Sequence, residues 1–315
     1  MPMETTNPTY AVVFPGQGSQ FAGMADVWST HPAGKRVLEE ASESMGRDVV
    51  SGCHDETAMA RTEFVQPALL ACGIAAFRVL LAQGLSEASI VGAAGHSLGE
   101  FAALVAAGVL MLPEALQVVV IRGAAMQRAG EEHPGTMSAL LGIGTTDAEA
   151  LCDEAREADV LSVANQNSPV QVVISGSVPA IERAEGLARE RKVRAMRLNV
   201  AGAFHSPLMG QAVAPIIEAF DRFEFRAPHF PIAENVTGQL VQDPTELRAL
   251  LGRHVLSAVR WEACARSLAI AGSTTFLECG AGDVLTKLAK RVVPGVRAIA
   301  VGSPDAAAAM SDSAG

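Results

Sequence analysis

Between a strand-like run, Ser89-Ile90-Val91-Gly92-Ala93, and a helix-like run, Phe101-Ala102-Ala103-Leu104, the chain reads Gly95-His96-Ser97-Leu98-Gly99-Glu100. This is G-x-S-x-G in the strand–turn–helix setting that the motif needs. Glycines on both sides permit a turn too sharp for side chains, and the turn lifts the Ser97 hydroxyl clear of the backbone. The helix that follows brings free N–H groups and a positive dipole end to the serine, which suits a developing oxyanion. Glycines around a serine also make ordinary strand-to-helix turns. The flanking elements favour a nucleophile.

The rest of the chain repeats this alternation. Ala11–Phe14 reads as a strand, about 66–83 as a helix, about 99–108 as a helix and 113–129 as another. Strands alternating with helices imply a parallel sheet. A breaker cluster, Gly130-Glu131-Glu132-His133-Pro134-Gly135, changes the rhythm. Strand 136–143, helix 146–157, strands 160–165 and 170–175, helix 179–191 and strand 195–200 follow, which is the β-α-β-β-α-β order of ferredoxin-like domains. The expectation is a ferredoxin-like small domain at 132–198, inserted into a large domain made of 1–131 and 199–315, with 274–278 a further strand. At 315 residues, 49% hydrophobic and only 18% charged, the chain can build both cores. Aromatics are 4%, which favours close packing of helix on sheet. The Ala/Ser/Asp-rich tail 303–315 reads as frayed.

A formal net charge of −10 argues against nucleic acid as the main partner. The five cysteines are scattered with no C-x-x-C pair, so neither a metal site nor a disulfide framework is expected. Residues 1–10 lack the pattern of a signal peptide, and no apolar run reaches the roughly 18 residues of a membrane span. The expectation is a cytoplasmic protein with reduced thiols, no membrane partner and no cofactor.

A serine hydroxyl needs a base at neutral pH. His96 adjoins Ser97 on the turn and points away; His31, His54 and His133 read as surface residues and His229 as a loop residue. His205, in Gly202-Ala203-Phe204-His205-Ser206-Pro207, lies where the chain leaves the small domain and is the best candidate. No acid falls in an obvious triad position, and a backbone carbonyl can orient an imidazole instead. Within the apolar helix 113–129 a charge stands out, Arg122. A buried arginine must be paired. Either it forms an internal salt bridge, for example with Glu100, or its planar fork awaits a substrate carboxylate. Phe14-Pro15-Gly16-Gln17-Gly18-Ser19-Gln20 is similarly open: a tight turn with a solvated Gln17, or a backbone freed by glycines to approach a ligand.

Taken in order, FPGQGSQ, VQPALLA, GHSLGEFAALVAAG, IRGAAMQ, NQNSPVQVVISG, GAFHSPLM and ENVTG resemble the malonyl-CoA:acyl carrier protein transacylases and the acyltransferase domains of polyketide synthases. The resemblance runs from about 10 to 301. It implies an α/β-hydrolase-like large domain with a ferredoxin-like insert, and transfer of malonyl from malonyl-CoA to the phosphopantetheine thiol of an acyl carrier protein. It implies Ser97 as acyl acceptor, His205 as base, the N–H groups of Gln17 and Leu98 as the oxyanion hole, and Arg122 as the carboxylate clamp. His254 would orient His205 through its carbonyl, and Gln66, Met126, Asn165 and Phe204 would line the pocket. Two departures stand out: Gly202 replaces the first histidine of the H-A-F-H signature, and Cys279-Gly280-Ala281-Gly282-Asp283 replaces a V-G-P-G turn. Arg189, Arg191, Lys192, Arg194 and Arg197, with Lys287, Lys290 and Arg291, form basic edges that suit an acidic carrier, although charge runs are usually solvated faces. An acyl hydrolase, a transferase of another acyl unit and a non-catalytic carrier-binding scaffold are the alternatives.

Overall fold

The protein is described by a computed structural model covering residues 8–311. The strands β1 (Tyr10–Phe14) and β2 (Ile90–Gly95) come first in the chain. They are followed by β3 (Gly135–Leu141), β4 (Leu161–Ser168), β5 (Gln171–Ser177) and β6 (Arg194–Arg197). β7 (Ile232–Ala233), β8 (Leu240–Val241), β9 (Thr275–Cys279) and β10 (Arg297–Val301) complete the set.

Six strands form one sheet in the order β10-β9-β1-β2-β7-β8, parallel except for the β7–β8 pair. β1 is buried throughout because helices cover both faces of this sheet. Its side chains alternate accordingly: Tyr10, Val12 and Phe14 enter one core, and Ala11 and Val13 the other. A buried side chain such as Phe14 contributes about 1.5–3 kcal/mol by leaving water. Because β1 and β2 are parallel neighbours, their C-terminal ends meet at Phe14 and Gly95. The Gln17 loop and the Ser97 turn therefore sit side by side.

The other four strands form an antiparallel sheet in the order β4-β5-β3-β6. The helices Thr145–Arg156 and Val178–Glu190 share its own apolar core. β4 is tied to the main body through Val259, whose N–H donates to Ala164 O and whose carbonyl accepts from Gln166 N, both at 2.8 Å. That bridge holds Asn165 over the end of the larger sheet.

Element types fall where the alternation expects them, with shifted ends: the sixth strand is 194–197 rather than 195–200. Three differences are larger. The helix Thr62–Ala82 is long and apolar enough to cross a membrane, against the expectation that no such run exists. With 89% of its apolar window buried inside the protein, it is a core helix. The tail is not frayed over 304–311. Pro304–Ser311 is a helix whose Ala307 is buried, and the Pro304 carbonyl accepts from Gln83 Nε2 at 3.1 Å. Residues 312–315 lie outside the described residues. Finally, β7, β8 and β10 are strands that the sequence pattern did not single out.

Candidate active site

Ser97 ends the sharp turn after β2 with φ +51°, a left-handed backbone that costs a non-glycine residue on the order of 1–3 kcal/mol. Gly95 makes the turn possible. A Cβ there would lie 1.8 Å from the Gly99 carbonyl carbon, so strand and helix cross with no room for a side chain. His205 has the same backbone class, φ +58°, in the segment that returns from the small sheet. The two residues meet: Ser97 Oγ is 2.7 Å from His205 Nε2.

The other ring nitrogen fixes the tautomer. His205 Nδ1 lies 3.1 Å from the His254 carbonyl and 3.0 Å from the Ser257 carbonyl. Both are acceptors, so Nδ1 carries the proton and Nε2 presents its lone pair to the hydroxyl. Burial, with Arg122 adding, holds the His205 imidazole down to about 3, so the ring is neutral at ordinary pH. A hydroxyl facing a neutral imidazole can give up its proton as it attacks.

Arg122 is 1% exposed, in the middle of the helix Leu112–Glu132. Its Nη1 donates to Gln66 Oε1 at 2.6 Å and its Nη2 to Ser97 Oγ at 3.1 Å, while Nε is buried with no hydrogen-bond partner among the described residues. Among the described residues no carboxylate lies within 4 Å of the guanidinium, so the salt bridge to Glu100 is not formed. Burial lowers the arginine to about 10, which leaves it charged. Met126, one helical turn on, lines the cavity beside Ser97. Gln66 bridges outward, its Nε2 donating to Gln17 Oε1 at 3.3 Å.

Ser97, His205, Gln66, Gln17 and Met126 line a cavity of about 230 Å³ that also touches Asn165, Phe204, Met137 and Leu198, with Arg122 reaching it through its hydrogen bonds to Ser97 and Gln66. A second cavity of about 200 Å³ lies across the Gln17 loop, walled by Val173 and Leu288. Gly16 lets that loop in: a Cβ there would stand 2.3 Å from the His96 carbonyl. Among the described residues neither the Gln17 nor the Leu98 N–H has an acceptor. Leu98 is otherwise buried. His96 turns from the serine, its Nε2 2.8 Å from Asn167 Oδ1.

The structure thus brings together Ser97, His205, Arg122, Gln66, Gln17, Met126, Asn165, Phe204 and the His254 carbonyl. Sequence reasoning missed the Ser257 carbonyl, which has no residue-type signal, and Asn235, which sits in a quoted stretch without an assigned role. Gly202 has a packing reason, since its Cβ would stand 3.0 Å from Gly130 Cα. In the Cys279–Asp283 turn, Gly280 and Gly282 hold φ +123° and +78°. The basic groups are less free than the sequence implies. Arg191 pairs with Glu154, Arg197 with Glu185 at 2.7 Å and Lys287 with Asp283 at 2.7 Å. Arg189, Lys192 and Arg194 line a groove beside β6, and Arg291 donates to Gln171 Oε1. Among the described residues His, Cys, Asp and Glu form no group of three able to hold a metal.

The acyl transferase domain family matches residues 11–305. The chain is 37% identical over 304 residues to the malonyl CoA-acyl carrier protein transacylase of Escherichia coli K12, covering 95% of this chain and 98% of that one. It is similar to the crystal structure of malonyl-CoA:acyl carrier protein transacylase from Xanthomonas oryzae, at TM-score 0.93 and 39% identity over 98% of this chain and 99% of that one. A malonyl-transacylase in complex with a type II polyketide synthase acyl-carrier protein matches at TM-score 0.92 and 35% identity, over 97% and 99% of the two chains.

Proposed function

The chain belongs to the acyl transferase domain family and is an acyltransferase, and from that premise we propose how its site works. It moves a malonyl group from malonyl-CoA to the phosphopantetheine thiol of an acyl carrier protein, in fatty acid or polyketide synthesis, through an ester on Ser97. The observation that carries this reading is Arg122. It is a buried cation with no carboxylate within 4 Å among the described residues, one hydrogen bond from the Ser97 hydroxyl. A site of that kind favours an acyl group that brings its own anion.

In the first half-reaction Ser97 Oγ attacks the thioester carbon while His205 Nε2 takes the hydroxyl proton. The carbonyl oxygen becomes an oxyanion beside the N–H groups of Gln17 and Leu98, and their lack of acceptors among the described residues supports this role. The intermediate collapses, the C–S bond breaks, and the CoA thiolate takes the proton from His205. In the second half the carrier's thiol gives its proton to His205 and attacks the Ser97 ester. Ser97 leaves as an alkoxide and recovers the proton. The carbonyls of His254 and Ser257 orient the imidazole in place of a triad acid. Gln66 holds Arg122, and Met126, Asn165 and Phe204 shape the pocket. Bulky Phe204 disfavours a branch at the malonyl α-carbon. No step needs a metal or redox cofactor.

The same reading takes the larger sheet and its helices, 1–131 and 199–315, as an α/β-hydrolase-like domain and 132–198 as a ferredoxin-like insert. The strand order β4-β5-β3-β6 with two helices supports the latter. The carrier docks on the basic edges at Arg189, Arg191, Lys192, Arg194, Lys287 and Lys290, and the enzyme works in the cytoplasm. A malonyl-loaded enzyme offered holo-carrier should lose the group to the carrier. Discharge to water at the same rate with and without holo-carrier would instead assign a hydrolase.

A further inference from the structure

The stretch Glu234-Asn235-Val236-Thr237-Gly238 follows the two-residue strand β7, which pairs with Ala93 and Ala94 of β2. After Ala233 the backbone turns away. Glu234 builds that turn itself: Oε1 accepts from Val236 N at 2.7 Å, and Oε2 accepts from Thr237 N at 2.9 Å and from its hydroxyl at 3.1 Å. The ladder along β2 therefore stops one residue short of the Ser97 turn. The Asn235 carboxamide takes over where the backbone leaves. Its Nδ2 donates to Gly95 O at 2.7 Å and its Oδ1 accepts from Ser97 N at 2.8 Å. The donor–acceptor pair of a peptide unit is reproduced by a side chain. Asn235 is fully buried, and its own N–H donates to Glu100 Oε2 at 3.2 Å in the first turn of the helix Gly99–Ala106. One residue thus holds the strand before Ser97, Ser97 itself and the helix after it.

We propose that Asn235 is the positioning residue that clamps Ser97 in its left-handed backbone conformation and, by occupying the Ser97 N–H, leaves the Leu98 N–H as the donor the turn offers to the reacting carbonyl. The proposal rests on Ser97 being the acyl acceptor. Asn235 touches neither substrate nor the reacting atoms. Its effect falls on the chemical step and spares substrate affinity, because among the described residues it makes no hydrogen bond to Arg122 or Gln66.

Two variants test it by single-turnover acylation with malonyl-CoA, read by intact-protein mass. Asn235→Ala loses both bonds, and the maximal acylation rate should fall roughly 100-fold, the scale of a misplaced reacting group, with the half-saturating malonyl-CoA concentration nearly unchanged. Asn235→Asp is an isostere whose protonated form keeps one donor and one acceptor in the same places, whereas its ionised form cannot donate to Gly95 O. The titratable groups facing it are Glu100, Glu234 on its own turn, and His254, whose Nε2 is 3.4 Å from Oδ1. Burial at this position opposes a new negative charge, as it does at Glu100, whose carboxyl is itself held well above the usual carboxylate range. The Asp variant should therefore gain acylation rate as pH falls from about 8 to 5, whereas the wild type, whose imidazole is already neutral across this range, should show no such rise. The proposal is overturned if folded Asn235→Ala acylates within about twofold of wild type, or loses only affinity. It is overturned equally if Asn235→Asp keeps the wild-type pH profile, or if both variants fail to fold, which would make Asn235 a stability residue. Wild type run alongside separates the two levels: no malonyl on wild-type Ser97 refutes the transferase reading, whereas normal wild-type loading with unaffected variants refutes only the role of Asn235.

Discussion

Occupying Arg122 with an anion should strengthen His205 as a base. Arg122 Nη2 and His205 Nε2 share one oxygen, Ser97 Oγ, at 3.1 and 2.7 Å. The cation and the imidazole thus stand on the order of 6 Å apart, where two unit charges repel by about 3 kcal/mol at an effective dielectric of 20. That is roughly two pH units on the His205 titration. In the free enzyme the repulsion adds to burial, and the imidazole is held down to about 3. A malonyl carboxylate paired with Arg122 cancels the charge, so the imidazolium formed during attack becomes easier to reach. Acetyl-CoA brings no anion and leaves the repulsion in place. The assay is quenched-flow acylation of Ser97 across pH 3.5–8, with folding followed by circular dichroism. The maximal rate with malonyl-CoA should lose activity with an apparent pKa up to about two units above that of the rate at limiting substrate, which reports the free enzyme. Acetyl-CoA should show no such separation. Coincident acid limbs for both measures with malonyl-CoA would refute the coupling.

Arg122→Ala should invert acyl preference. With the cation gone the malonyl carboxylate is stranded, and competitive loading from equimolar malonyl- and acetyl-CoA should fall for malonyl by roughly 100-fold or more while acetyl is retained. Arg122→Lys should rescue only in part, since an ammonium lacks the bidentate fork. Reversing Lys192 and Arg194 together should raise KM for the carrier several-fold and leave self-acylation by malonyl-CoA unchanged; an unaltered carrier KM removes that edge from the docking surface. Gly95→Ala should yield little folded protein or a Tm many degrees lower, because its Cβ would overlap the Gly99 backbone. A wild-type melting curve would show that the turn can relax.

The Ser97 turn was legible because three signals coincide there: an apolar strand, glycines whose places are sterically required, and an apolar helix. Arg122 was legible as a charge within an apolar stripe; the residues alone left a salt bridge to Glu100 open, the resemblance implied the clamp, and the structure places no carboxylate of the described residues within 4 Å. His205 was singled out by elimination among the histidines and by its place where the chain leaves the small domain, and the resemblance then implied its role as base, since a histidine before Ser-Pro has no local pattern. The carbonyl of Ser257 and the carboxamide of Asn235 act through groups common to many residues, so residue type gave no warning. β7 and β8 are too short for a two-residue period to register. The helix Pro304–Ser311 was hidden by an Ala- and Asp-rich composition that reads as solvated, although Ala307 is wholly buried. Thr62–Ala82 shows the converse: its apolar length suits a bilayer, but the rest of the fold covers it.

The central claim is that Ser97 accepts a malonyl group. Its most direct measurement is the intact mass of the protein after brief exposure to malonyl-CoA, followed by peptide mapping. Wild type should gain one malonyl group on the peptide bearing Ser97, lose it to hydroxylamine and pass it to holo-carrier protein, and Ser97→Ala should gain none. A malonyl adduct formed equally well by Ser97→Ala, or no adduct on folded wild-type protein that still transfers malonyl, would contradict the account.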